Sequence, residues 1–128
     1  MRREFDIPQE EVEAFEHLYP KWEALKQDKA FWLLIHEFPV PAGYNVSSAD
    51  LAVRIPEGPW GSKLDMVFVF PELRLMSGRP IPNVDGRVNI DQRDFQQWSR
   101  HYTWNPAQHN LSIHLQFAHG WFERELRR

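Results

Sequence analysis

The chain has 128 residues, a formal net charge of −3 and no cysteine. This length suits a single domain, residues 1–128, and the lack of cysteine excludes disulfides, thiolate metal sites and a thiol nucleophile. Lys and Arg are not clustered as phosphate binding requires, and there is no signal peptide or membrane-length apolar run. We therefore expect a cytoplasmic protein that binds neither nucleic acid nor a membrane.

The first predicted element is an amphipathic helix from about Ile7 to Gln27. Asp6 and Gln9, three residues apart, have the form of a capping box that would begin it. Pro20 interrupts the pattern and is expected to kink the helix. The apolar residues recur every three or four positions, which places them on one face suited to packing against a sheet. These residues are Val12, Phe15, Leu18, Trp22 and Leu25.

Three strands are predicted next, over Ala30–Phe38, Ala49–Ile55 and Met66–Phe70. Consecutive strands joined by short connections favour an antiparallel meander. The loop before the third strand, Pro56–Gly61, combines prolines with Trp60. A rigid loop that carries an exposed aromatic ring is typical of a low-entropy binding anchor, so Trp60 is a candidate partner-binding residue.

The stretch Pro80–Ser99 organises the second half of the chain. Prolines on both sides of Ile81 hold that residue extended, and the Asp-Gly pair at 85–86 predicts a turn. Trp98, near the end of the stretch, is expected to anchor it to the domain. Long irregular loops with their own anchors are more often functional than idle in a compact domain, which makes this stretch the candidate site.

A second helix is predicted from about Pro106 to Leu126. Asn105 is a suitable N-cap, and apolar residues follow at helical spacing as far as Phe122. The three histidines at positions 109, 114 and 119 lie five residues apart, so they do not share one face and no metal site is expected. The order of helix, strands, irregular loop and helix predicts an α+β domain.

Three pieces of the central stretch resemble the active-site segment of ubiquitin-conjugating enzymes. In that family His-Pro-Asn is followed by Gly-x-Ile-Cys-Leu-Asp and then by Trp-Ser-Pro. The resemblance implies the family fold, with an N-terminal helix, an antiparallel β-meander, a long irregular loop at the active-site position and a C-terminal helix. The loop Ile55–Trp60 matches the family's proline-rich segment in character. The matching pieces are Ile81-Pro82-Asn83, Gly86-Arg87-Val88-Asn89-Ile90-Asp91 and Trp98-Ser99.

Two departures from the family motif decide what chemistry the resemblance allows. The family histidine is replaced by Ile81, and the position of the catalytic cysteine is held by Asn89. An asparagine cannot supply the thiolate that transthiolation needs, so we expect the fold without the thioester chemistry. Asn83 matches the family asparagine that steadies the developing oxyanion. Its alternative interpretation is a loop-stabilising residue that bonds to nearby backbone.

A second set of residues narrows the resemblance. Phe38–Asn45, Pro71–Leu73, Trp98–His101 and Trp104–Pro106 are similar to a bacterial branch of this superfamily that lacks the catalytic cysteine, the prokaryotic ubiquitin-conjugating-like family E. That branch is found in operons that also encode ubiquitin-like proteins, a ThiF-type activating enzyme and a JAB-type metallopeptidase. The resemblance therefore implies that partners belong to these three classes.

Three functions remain as alternatives, none of which calls for a cofactor. The first is a non-catalytic module that binds a ubiquitin-like protein or its activating enzyme through Ile81–Ile90 and the Pro56–Trp60 loop beside it. The second is an enzyme in which His101 and a carboxylate, Asp91 or Asp94, form an acid/base pair. The third is an RWD-type interaction domain, which shares this architecture. For the first function, the candidate partner-binding residues are Trp60, Ile81, Asn83, Asp85 and Trp98.

Overall fold

Two helices and six strands form an α+β domain in the computed structural model, which describes residues 1–58, 60 and 62–128. The elements are α1 (Gln9–Phe15), β1 (Trp22–Gln27), β2 (Ala30–Pro39), β3 (Ser48–Ile55), β4 (Val67–Phe70), β5 (Arg87–Ile90), β6 (Arg93–Trp98) and α2 (Leu111–Leu126). All six strands lie in one antiparallel sheet with the order β1-β2-β3-β4-β6-β5. The predicted α+β class and its terminal helices are confirmed.

The first predicted helix is too long. Helix α1 ends at Phe15, and the last six residues assigned to the predicted helix form β1, which pairs with β2. The helical spacing of Trp22 and Leu25 misled the prediction, because their side chains belong to separate apolar clusters, one on each side of the sheet. The predicted capping box is also wrong, since Pro8 occupies the N-cap position without a side-chain hydrogen bond.

The central stretch is more regular than the sequence predicts. It contains a β-hairpin in which Asp91 and Gln92, with φ of 53° and 65°, form the two-residue turn between β5 and β6. Strand β6 also pairs with β4, so the polar run before Trp98 is an interior strand of the sheet. Residues 79–86 carry no helix or strand, and the irregular part of the predicted site is therefore confined to them.

The second helix begins at Leu111 and not near Pro106. Its N-cap is Asn110, whose side-chain oxygen accepts a hydrogen bond of 2.9 Å from the Ile113 N–H. Asn105 instead closes a separate turn before the helix, because its side-chain oxygen accepts from the Ala107 N–H at 3.0 Å. Both asparagines are good caps in the sequence, and only the tertiary structure distinguishes them.

The sheet is curled into a cup. Its convex side packs against both helices and holds the larger apolar core, which includes Phe15, Trp98 and Phe122. Its concave side holds a second apolar cluster to which every strand contributes. The residues of this second cluster are Leu25, Trp32, Leu34, Ala52, Phe68, Ile90 and Phe95. A single cluster formed by all six strands requires the two edge strands, β1 and β5, to approach one another.

One side chain joins the two edges of the cup. The Gln27 amide nitrogen donates to the Asn89 carbonyl at 2.8 Å, and its amide oxygen accepts from the Asp91 N–H at 2.8 Å. Arg2 reinforces the junction by donating to Glu23 on β1 and to Asp91 in the hairpin turn. These contacts cover an edge that would otherwise expose unpaired backbone groups.

Candidate functional site

The irregular part of the site is tied to the end of the sheet. The backbone of Asn83 is left-handed, with φ of 58°, and its carbonyl accepts from the Ser99 N–H at 3.1 Å. Val84 is buried and Ile81 is half-buried against the larger core. The side chains of Asn83 and Asp85 are exposed between these anchors. Two of the predicted partner-binding residues are therefore accessible, and Ile81 is accessible in part.

Asn89, which the sequence resemblance matches to the family nucleophile, lies on the edge strand β5 and is exposed. The Gln97 N–H donates to the Gly86 carbonyl at 2.9 Å, which sets the phase of hydrogen bonding along the hairpin. Gly86 and Gln97 thus form a hydrogen-bonded pair, and such pairs alternate along an antiparallel ladder. The backbone N–H and C=O groups of Arg87 and Asn89 therefore point away from β6. The Asn89 carbonyl accepts from Gln27. A nucleophilic side chain at this position would be exposed to solvent, but a carboxamide offers neither a nucleophile nor an acid or base at neutral pH.

Trp98 cannot contact a partner in this fold, which corrects its assignment as a binding residue. It is fully buried, and its ring lies 4.8 Å from that of Phe122 in α2. Its indole N–H donates to the side-chain oxygen of Gln96, which also accepts from the Leu73 N–H. The predicted role of Trp98 as an anchor for the stretch agrees with these contacts.

The Pro56–Trp60 loop faces two different cavities. Trp60 is 38% exposed, and its indole N–H donates to the Glu11 carboxylate at 3.0 Å. It borders a cavity of about 380 Å³ at the start of α2. Pro56 lines this cavity and also a second one of about 620 Å³, which Glu57 and Val88 of β5 border as well. The loop thus lies between the two cavities, with Glu57 beside the central stretch and Trp60 beside the helices. Pro59, which was expected to stiffen the loop, lies outside the described residues.

His101 has a different partner from the two carboxylates suggested by the sequence. Its Nδ1 atom lies 2.9 and 3.0 Å from the two oxygens of Asp65, and its side chain is 60% exposed. Asp91 is instead engaged by Arg2, whose hydrogen bonds lower the pKa of the Asp91 carboxyl. Asp94 is exposed on β6. The pair formed by His101 and Asp65 is accessible and has the contact that acid/base chemistry requires.

Almost the whole chain matches one known protein family. The family model described as Prokaryotic E2 family E matches residues 7–125. The chain belongs to that family. No curated protein and no solved structure matches it significantly. Membership confirms the resemblance to ubiquitin-conjugating enzymes and indicates a role in a ubiquitin-like pathway.

In this member of prokaryotic E2 family E, His114 of the second helix has structural partners. His114 is buried; its Nε2 lies 2.9 Å from the Met66 carbonyl, and its Nδ1 lies 2.5 Å from the Tyr102 hydroxyl. Since the carbonyl can only accept, Nε2 donates and Nδ1 accepts from Tyr102. Burial lowers the pKa of His114 and raises the pKa of Tyr102 to about 12. The pair is therefore neutral at pH 7.

Within the described part of the chain, no group of three or more His, Asp or Glu residues is arranged to hold a metal ion. No helix among the same residues is long and apolar enough to cross a membrane.

Sequence reasoning missed Asp65 and Gln27, because each contacts a residue that is far away in the chain and neither belongs to a recognisable motif.

Proposed function

We propose that this member of prokaryotic E2 family E is a non-catalytic module that binds a ubiquitin-like protein, a ThiF-type activating enzyme, or both, in a bacterial modification pathway. The proposal rests on the absence of cysteine from the chain and on Asn89, a residue of β5 that the sequence resemblance matches to the nucleophile position. Loss of the thiol removes thioester transfer and leaves the binding surface around it in place.

The proposed contact surface consists of Asn83, Asp85 and the outer edge of β5. The two side chains are exposed on a loop whose backbone is tied to Ser99, so binding would order little additional chain. The outward backbone groups of Arg87 can pair with an extended segment of a partner, as strand addition requires. The flexible tail of a ubiquitin-like protein is a segment of this kind. A JAB-type peptidase that acts on such tails is a further candidate partner.

The proposal is tested by capturing partners from a lysate of the native host with the tagged full chain. Captured proteins are identified by mass spectrometry, with and without thiol reductant and hydroxylamine. We expect a ubiquitin-like protein or a ThiF-type enzyme in equal amounts under all conditions. Asp85→Arg should reduce the capture, whereas Asp6→Arg, an exposed residue of the same charge outside the loop, should not. Capture of neither protein from a lysate that contains both would contradict the proposal.

One observation favours a second candidate function. The exposed pair of His101 and Asp65 could act as a general base on a bound substrate, with Asp65 fixing the imidazole tautomer. In the capture experiment, this enzyme would be revealed by an adduct that hydroxylamine cleaves and that His101→Gln abolishes. An RWD-type interaction domain would instead capture proteins unrelated to the ubiquitin-like pathway.

A further inference from the structure

The concave side of the sheet contains a cavity, here called the mouth of the cup, that the proposed function does not use. Its volume is about 620 Å³, within the range of sites that hold a small organic ligand. Phe68 and Val88 line it together with Trp32, from strands β4, β5 and β2. The edge junction formed by Gln27 joins the two edges of the curled sheet.

The floor of the cavity is apolar and aromatic. Trp32 is 4% exposed, and its ring meets that of Phe68 edge to face, with the centroids 5.2 Å apart. Its indole N–H is buried and, among the described residues, is the only buried side-chain donor without an acceptor. Because this nitrogen has almost no accessible surface, a ligand in the cavity would contact the apolar part of the Trp32 ring and not its N–H.

The rim of the cavity is positively charged. Lys29, Arg54 and Lys63 are exposed there, and the described part of the chain gives none of them an ion-pair or hydrogen-bond partner. Two carboxylates, Glu57 and Asp65, also border the cavity, so its charged residues sum to a formal charge of +1; Asp65 is in addition hydrogen-bonded to His101. Three unpaired cations beside an apolar floor, in a chain with a formal charge of −3, are complementary to an anion with an apolar body.

We propose that the mouth of the cup binds a small amphipathic acid. The flat apolar body lies against Phe68 and Val88, and the acid group pairs with Arg54 and Lys63. Asn83, Asp85 and Arg87 of the proposed contact surface do not border the cavity, although Val88, which lines it, follows Arg87 in β5.

The first measurement is a fluorescence titration of the full chain with 8-anilinonaphthalene-1-sulfonate, an aromatic anion. Naphthalene-2-carboxylate should displace this probe, and the neutral naphthalene-2-carboxamide should do so about tenfold less well, since a lost charge contact of about 1.4 kcal/mol is a factor of ten. Arg54→Glu should weaken probe binding by about the same factor or more. Arg74→Glu, an equal charge change at an exposed arginine outside the cavity, should leave binding unchanged.

A second measurement locates the ligand. The indole N–H resonance of Trp32, assigned by its loss in Trp32→Phe, should shift on addition of naphthalene-2-carboxylate. The proposal is overturned if this resonance does not move, if acid and amide bind equally, or if Arg54→Glu and Arg74→Glu behave alike. Self-association that covers the cavity, detected by sedimentation of the free chain, would also overturn it. The melting temperature of each variant shows that it has folded.

Discussion

Replacement of Gln27 by alanine tests whether the two edges of the cup are joined through one side chain. The change removes two hydrogen bonds of 2.8 Å, one to the Asn89 carbonyl and one from the Asp91 N–H. Each is worth about 0.5–1.5 kcal/mol net, and both lie near solvent, so we expect the free energy of unfolding to fall by about 1–2 kcal/mol. Urea denaturation measures this as a lower midpoint with an unchanged slope.

The local signature of the same change is faster exchange of one amide. The Asp91 N–H loses its only side-chain acceptor in Gln27→Ala and should exchange with solvent faster, while amides in the middle of β2 and β3 follow only the global stability. Gln116→Ala, an exposed glutamine on α2, is the matched control and should alter stability by less than about 0.5 kcal/mol. A loss below that value in Gln27→Ala, with Asp91 exchange unchanged, would refute the edge junction.

Three other predictions follow from burial and charge. Because burial lowers the pKa of His114, this imidazole is protonated in the unfolded chain at a higher pH than in the folded chain. The contribution of His114 to the free energy of unfolding should therefore be constant above its unfolded pKa near 6.5 and decrease as the pH falls towards its lower pKa in the folded chain. Urea denaturation at several pH values measures this decrease, which should be absent in His114→Gln. Trp98→Ala should lower the free energy of unfolding by about 3–5 kcal/mol, and a change below 1 kcal/mol would show that Trp98 is not a core residue. Trp60→Ala should lower stability by only about 1 kcal/mol, since one exposed hydrogen bond to Glu11 is lost; a melting temperature that falls as in Trp98→Ala would make Trp60 structural.

The features predictable from the sequence are those set by local chemistry or by a motif. Strands β2, β3 and β4 follow from dense β-branched and aromatic residues, and the C-terminal helix follows from its apolar spacing. The segment from Ile81 to Ser99 identified the family, because its proline, glycine and tryptophan positions carry the motif without the reactive residue. Trp98 was recognised as an anchor, but an aromatic side chain in a sequence suits a core and a binding surface equally well.

The features that escaped prediction depend on contacts between distant residues. Strand β1 has the spacing of a helix, and only pairing with β2 and burial on both faces make it a strand. The turn of the β5–β6 hairpin uses Asp-Gln, which lacks the glycine that usually signals such a turn. The partner of His101 lies 36 residues away, and no sequence pattern selects Asp65 over the nearer carboxylates.

The most direct test of the central claim is the intact mass of the chain isolated from its native cells without reductant. A binding module with Asn89 at the nucleophile position predicts one species at the mass of the unmodified chain, even when the ubiquitin-like protein and its activating enzyme co-purify with it. A species heavier by the mass of a ubiquitin-like protein, released by hydroxylamine, would show that the chain forms a covalent ester and would contradict the claim.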